Sequence, residues 1–373
     1  MRSASAAYFL PRDLHPGAWW LWTLGLAAAA GRTTNPWLLA AIIAVVAYVV
    51  VARRSEAPWA MAFRVYLVLG AVIIISRVFF RLVFGGAEGS TIILRLPEIP
   101  LPAWAAGIRL LGNVSAESLL GGLYDGLRLA TMLICLGAGN ALANPKRLLK
   151  AMPPALYEAG TAVIVALSVF PQLAESVLRI RQARKLRGGT RGKRFHALHT
   201  IVIPVLEDAL GRSLQLAASM DSRGYGRSGT AGRRARLATG LLMIVGLGGV
   251  CVGVYGTLDG STPRYLGLPV LLGGLAVALA GFRLAGRRVR RTRYRPDRWG
   301  LAEALTAGSG IAVAIMLYAT SSVDPTNLNP SLINLSWPLL SSEPLCGVLV
   351  GTLPAFLTPP PELAEAPAGE LPA

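Results

Sequence analysis

Eight stretches of this chain, at about 17–31, 36–52, 64–84, 124–142, 237–258, 266–284, 302–319 and 335–356, are apolar for long enough to cross, or nearly cross, a ~30 Å hydrocarbon layer. So many runs cannot all be hidden in a water-soluble core, and in lipid each must satisfy its own backbone hydrogen bonds. The expected fold class is therefore an all-α polytopic membrane protein, with about eight transmembrane helices plus cytoplasmic amphipathic helices. Composition agrees: 53% of the 373 residues are hydrophobic and only 15% charged, against about a quarter charged in soluble domains. Trp19, Trp20, Trp22, Trp37 and Trp299 fall near the ends of expected spans, where amphipathic rings favour the interface. The N-terminus carries Arg2 and Arg12 but no clean apolar run before Pro11, and no small-residue cleavage site follows, so 19–30 reads as a first retained span, not a removable signal.

The basic residues orient this topology. The net charge is +18, and with the N-terminus cytoplasmic the inside segments hold 28 of the 37 Lys and Arg, the outside segments four. That asymmetry is the positive-inside signal, and it places both termini in the cytoplasm of an inner (plasma) membrane protein. The apolar segment 155–170 departs from the pattern, because basic residues flank both sides: Lys146, Arg147 and Lys150 before it, Arg179 to Arg187 after it. Its uninterrupted apolar part, 159–170, is short for a span, so an in-plane segment bounded by Pro153-Pro154 and Pro171 is expected. The organisation is then a four-span region 1–142, a cytoplasmic region 143–236, a four-span region 237–356, and a disordered Pro/Ala/Glu-rich tail 357–373.

The cytoplasmic region carries the strongest functional pattern. After Pro171, Leu173, Val177 and Ile180 recur at helical spacing, and Glu175 stands four residues before Arg179. This amphipathic helix is expected to stop at Leu186-Arg187-Gly188. A second is expected from about Pro204, with Leu206, Leu210, Leu214 and Ala217 on one face and Asp208, Arg212, Gln215, Ser219 and Arg223 on another. It ends at Ser222-Arg223-Gly224, with the two arginines 36 residues apart. Arginine at a helix C-terminus complements the dipole and can simply be C-capping chemistry; with glycine behind it, the guanidinium fork is also free to enter a partner's acidic groove.

Two amphipathic helices that each end in an arginine resemble the coupling helices of the energy-coupling factor (ECF) transporter T component, the EcfT/CbiQ-type family, whose helices end in X-Arg-X motifs. Here the matches are Leu186-Arg187-Gly188 and Ser222-Arg223-Gly224. Leu14-His15-Pro16, Asn144-Pro145, Met152-Pro153, Pro171 and the Ala218-to-Tyr225 stretch add to the likeness, which covers about 10–260. The family usually carries alanine before each arginine, where this chain has Leu186 and Ser222. The resemblance implies a non-catalytic scaffold of an ATP-driven importer. Arg187 and Arg223 would each engage one of two ABC ATPase subunits, and the spans would hold a substrate-capture S subunit for a vitamin or metal ion such as cobalt.

Other chemistries find less support. Gly192-Lys193 is followed by Arg194, and position 187 is arginine, so there is no phosphate-binding P-loop and ATP must be bound by another chain. His196 and His199 lack a third ligand nearby, and the scattered Cys135, Cys251 and Cys346 form no metal-type pair, so no cofactor is expected. Arg77, Arg81 and Arg128 lie toward the outer ends of their spans, near Asp125; both a functional site and snorkelling to headgroups fit them. The basic run 287–298 fits an anionic inner leaflet better than nucleic acid. A membrane enzyme acting on a lipid-linked substrate is the alternative, but the one adjacent acidic pair, Glu207-Asp208, lies inside the second amphipathic helix.

Overall fold

The structure, a computed structural model, describes residues 12–55, 63–84, 91–95, 97, 111–186, 194–225, 233–258, 267–287, 299–332 and 337–360. It is an all-α membrane protein: among these residues seven helices are long and apolar enough to cross a bilayer. The helices form two compact units, and they do not follow chain order. The first unit joins residues up to 148 to those from 297 onward, and the second comprises 149–296. The C-terminal region 237–356 is thus divided between them.

The first unit is built on α1 (Pro16–Gly31), α2 (Pro36–Arg53), α3 (Phe63–Phe84), α4 (Ala116–Leu142) and α10 (Leu301–Val323). Each of the first two helices has proline in its first turn behind a capping side chain. His15 Nδ1 accepts from the Gly17 amide at 3.0 Å, and Asn35 Oδ1 from the Trp37 amide at 3.0 Å. Ser115 caps α4, which therefore begins eight residues before the apolar run at 124. Ahead of it, β1 (Ile92–Arg95) pairs antiparallel with β2 (Asn113–Ser115) within the expected outer segment, a pairing too short to show in the sequence pattern. Trp22, Leu26, Ile42, Val46, Val49, Ile134, Cys135, Val313 and Leu317 form the buried core where these helices meet. Gly25 and Gly310 let α1 and α10 touch backbone to backbone, since a Cβ on either would fall on the other helix's main chain.

The expected span at 335–356 is instead two short helices, α12 (Ser342–Val350) and α13 (Leu353–Leu357). The apolar run is long enough, but Gly351-Thr352 turns the chain and Pro354 starts a new helix. The turn is locked by Trp22, whose indole N–H donates to the Gly351 carbonyl at 3.1 Å in the buried interior. Between these helices and α10, the short α11 (Pro325–Leu328) is tied back to the start of α2: Asn35 Nδ2 donates to the carbonyls of Asn327 and Leu339 at 3.0 and 2.8 Å.

The second unit contains α6 (Tyr157–Leu186), α7 (Arg194–Ser222), α8 (Arg233–Leu258) and α9 (Leu268–Gly286); the short α5 (Pro145–Lys150) lies at the boundary between units. The expected breaks at Pro171 and Pro204 do not occur: both prolines lie inside continuous helices of 30 and 29 residues. A proline removes one backbone bond and costs about 3 kcal/mol in a helix interior. Each helix nevertheless continues on both sides of its proline, and α6 extends without interruption from the apolar segment into the amphipathic one. By length and composition its stretch Ala159–Ala183 counts among the seven candidate spans. In α8 and α9, Gly246 faces Ala278 and Gly249 faces Gly274, a contact with no room for larger side chains.

Candidate functional site

The arginine-tipped helices α6 and α7 pack against each other. At their contact Ser176, only 2% exposed, donates its hydroxyl to Asp208 Oδ2 at 2.7 Å. Arg212, one turn along α7, donates to both carboxylate oxygens, from Nε at 3.2 Å and from NH2 at 2.9 Å. The Ser176 hydroxyl, and after it the Arg212 guanidinium, hold the Asp208 carboxyl below the usual carboxylate range. Beside this contact runs a cleft of about 360 Å³, with Val165, Val169 and Leu173 of α6 facing Ala209, Leu216 and Met220 of α7. The leucine stripe read from helical spacing is there, but it faces outward: Leu206, Leu210 and Leu214 are 55%, 65% and 71% exposed.

α7 ends in a complete glycine stop. The Tyr225 amide donates to the Met220 carbonyl at 3.0 Å and the Gly224 amide to the Asp221 carbonyl at 2.9 Å. Gly224 holds φ +76°, the left-handed conformation this closure requires. Ser222, the last helical residue, returns its hydroxyl to the Ser219 carbonyl at 2.9 Å. Arg223 is thereby the cap residue, exposed, and its guanidinium has no hydrogen-bond or salt-bridge partner among the described residues. The capping reading is what the geometry shows: glycine terminates the helix and leaves Arg223 exposed at its end. On the other helix, Leu186 is the last residue of α6 and is 89% exposed, while Arg187 and Gly188 lie outside the described residues.

Sequence spacing found Asp208 and Arg212 on one face of α7. It missed Ser176 as their partner; a lone serine in an otherwise apolar helical face was the available signal. Of the two partners open to Asp125, the structure shows Arg81 at 3.8 Å. His15 and Asn144, singled out by their place before prolines, are both helix-starting side chains: Asn144 Oδ1 accepts from the Lys146 amide at 3.1 Å.

Seven apolar helices of membrane-crossing length among the described residues define a multi-pass membrane protein, and the family match gives its class as transport. The family of cobalt transport proteins named CbiQ matches residues 8–231, and the chain belongs to it. It is accordingly the transmembrane component of a cobalt/ECF-type transporter, a part of a multi-subunit complex. No curated protein matches the sequence.

Proposed function

We propose that this chain couples ATP-driven motion of two cytoplasmic ABC ATPase subunits to a substrate-capture S subunit during uptake of cobalt or a related cargo, with α6 and α7 as the coupling helices. The carrying observation is Arg223, exposed and without a partner among the described residues, at the glycine-closed end of α7. A cation at a rigid helix tip is a fitting handle for an acidic groove on a partner. Arg187, one residue beyond α6, is the second handle. The Ser176–Asp208 contact binds the two helices, so that a push at either tip is transmitted to both.

In this reading α6 does not cross the bilayer. A crossing would put Arg179 to Arg187 on the side opposite Lys146, Arg147 and Lys150, against the charge asymmetry of the rest of the chain. The apolar first half of α6 and the outward leucines of α7 then lie in the inner interface or against the S subunit. Both termini are cytoplasmic and the membrane is the plasma membrane.

The test is co-purification from membranes of cells expressing the whole transporter. Arg187→Ala with Arg223→Ala is expected to lose both ATPase subunits while the chain inserts and retains the S subunit; either single variant loses part of the ATPase. Retention of the ATPases by the double variant, or exposure of 172–225 on the outer face by cysteine labelling, sinks the reading.

A further inference from the structure

A second cationic cluster lies between α3 and α4, at the end of that pair away from Leu142. The two helices run antiparallel in a register fixed by glycines: Gly137 meets Tyr66, Gly70 meets Ile134, Gly126 meets Ile74 and Arg77, and Gly122 meets Arg81. A Cβ added at Gly122 would lie 2.7 Å from Arg81 Cγ, and one at Gly126 would lie 3.2 Å from Arg77 Cβ. The two glycines thus form a trough in which the arginine stems are seated, while both side chains stay exposed. Arg81 reaches Asp125 at 3.8 Å, but with 53% and 43% of the two side chains exposed this pair is weak. Arg77 has no hydrogen bond or ion pair among the described residues. On the same stretch of α4, Arg128 has a buried Nε without a partner. Among the described residues these three cations thus have one ion-pair carboxylate, that of Asp125.

Depth says what can neutralise them. About 20 helical residues cross the hydrocarbon layer; counted back along α4 from Leu142, that reaches about residue 123. Gly31, at the end of α1, lies against Met132, one turn short of Arg128, so the neighbouring helix stops where the cluster begins. The arginines are at a membrane boundary, where lipid phosphates are the abundant anions. Exposed Phe79, Phe80 and Phe84 on α3 offer aromatic surface to acyl chains and glycerol backbone beside them.

We propose that Arg77 and Arg81, seated in the Gly122/Gly126 trough with Arg128 nearby, bind the headgroup phosphate of an anionic phospholipid. The planar guanidinium fork matches a phosphate bidentately. The excess of arginine over carboxylate among the described residues of this cluster favours a net-negative headgroup over a zwitterionic one. Only the identity of the leaflet, the outer one, depends on the orientation proposed above.

The experiment is photo-crosslinking of the full chain, reconstituted in phosphatidylcholine vesicles carrying a trace of photoreactive phosphatidylglycerol, with peptide mapping. Label is expected on segments 74–84 and 116–129. Arg77→Gln with Arg81→Gln is expected to cut it about tenfold, the worth of one charge-assisted contact. Label on the basic residues at the opposite membrane face should persist, which reports that the variant is folded. The wild type carries its own control: photoreactive phosphatidylcholine should label these segments weakly. The proposal is overturned by equal labelling with phosphatidylcholine, by labelling unchanged in the variant, by full competition from millimolar inorganic phosphate, or by loss of label in the assembled transporter, which would hand the arginines to a protein partner's acidic groups.

Discussion

Ser176 of α6 donates a 2.7 Å hydrogen bond to Asp208 of α7, and the same carboxylate takes both donors of Arg212. The serine is buried and the carboxylate partly open. A buried polar contact of this kind between two helices fixes their register, because sliding either helix strands a buried hydroxyl. For helices proposed to carry force from a partner, a fixed register at the crossing is what turns motion at one tip into motion of the pair.

That contact has a definite acid dependence. Because Asp208 is held below its unfolded value, about 3.9 for an aspartate, its ionised form is favoured by the fold. Its contribution is complete above that value and is lost only as pH falls through the lower, folded one. Thermal melts of the detergent-purified chain should show no Asp208 contribution to pH dependence between 5 and 8. Below about pH 4 the wild type should lose the advantage it holds over Asp208→Asn. Ser176→Ala, by removing the largest cause of the depression, should move that loss toward the ordinary value and lower the melting temperature near neutrality by about 2–4 °C. A wild-type minus Asp208→Asn difference that changes between pH 6 and 8 contradicts this assignment.

Runs such as 36–52 and 302–319 were legible because seventeen or eighteen predominantly apolar residues in sequence leave little alternative to a helix. The arginine stop at Gly224 was legible because it is local chemistry: four residues decide it. Pro171 and Pro204 misled for the complementary reason, as a breaker acts on one hydrogen bond while the helix that contains it is held by thirty residues of packing and propensity. The interruption at Gly351 is invisible to hydropathy, since glycine, threonine and proline barely change the apolar average. Pairings between distant residues were out of reach altogether. Arg12 and Glu303 are separated by 291 positions, and nothing in either local sequence announces the other.

That long-range pair yields its own prediction. Glu303 is 1% exposed; it accepts from Arg12 at 2.9 Å and from the Gly300 amide at 3.0 Å, closing the first turn of α10. Arg12→Ala leaves a buried carboxylate without its cation. A fully buried pair loses about 3–5 kcal/mol this way, but Arg12 is 39% exposed, which discounts the loss to about 1–3 kcal/mol. Glu303→Gln keeps an acceptor for the Gly300 amide and removes the charge. The double variant should therefore lose less than the sum of the two singles, and melts of the four proteins measure that coupling. Strict additivity would show that the pair holds nothing.

The crossing of α1 and α10 gives the sharpest contrast available in the first unit. A Cβ at Gly310 would fall on the main chain of Trp22, which cannot rotate away as a side chain could. At Gly308, two residues earlier on the same helix, nothing lies within 4 Å of the same added atom. Alanine is favoured over glycine in a helix interior by about 0.5–1 kcal/mol, so Gly308→Ala should be neutral or slightly stabilising. Gly310→Ala should instead lose about 2 kcal/mol or more by overpacking against backbone. Trp22 sits at this contact and donates to Gly351, and thermal melts of the two variants measure the difference. Opposite signs for two chemically identical substitutions would locate the close approach at Gly310; equal effects would mean that α1 and α10 do not touch there.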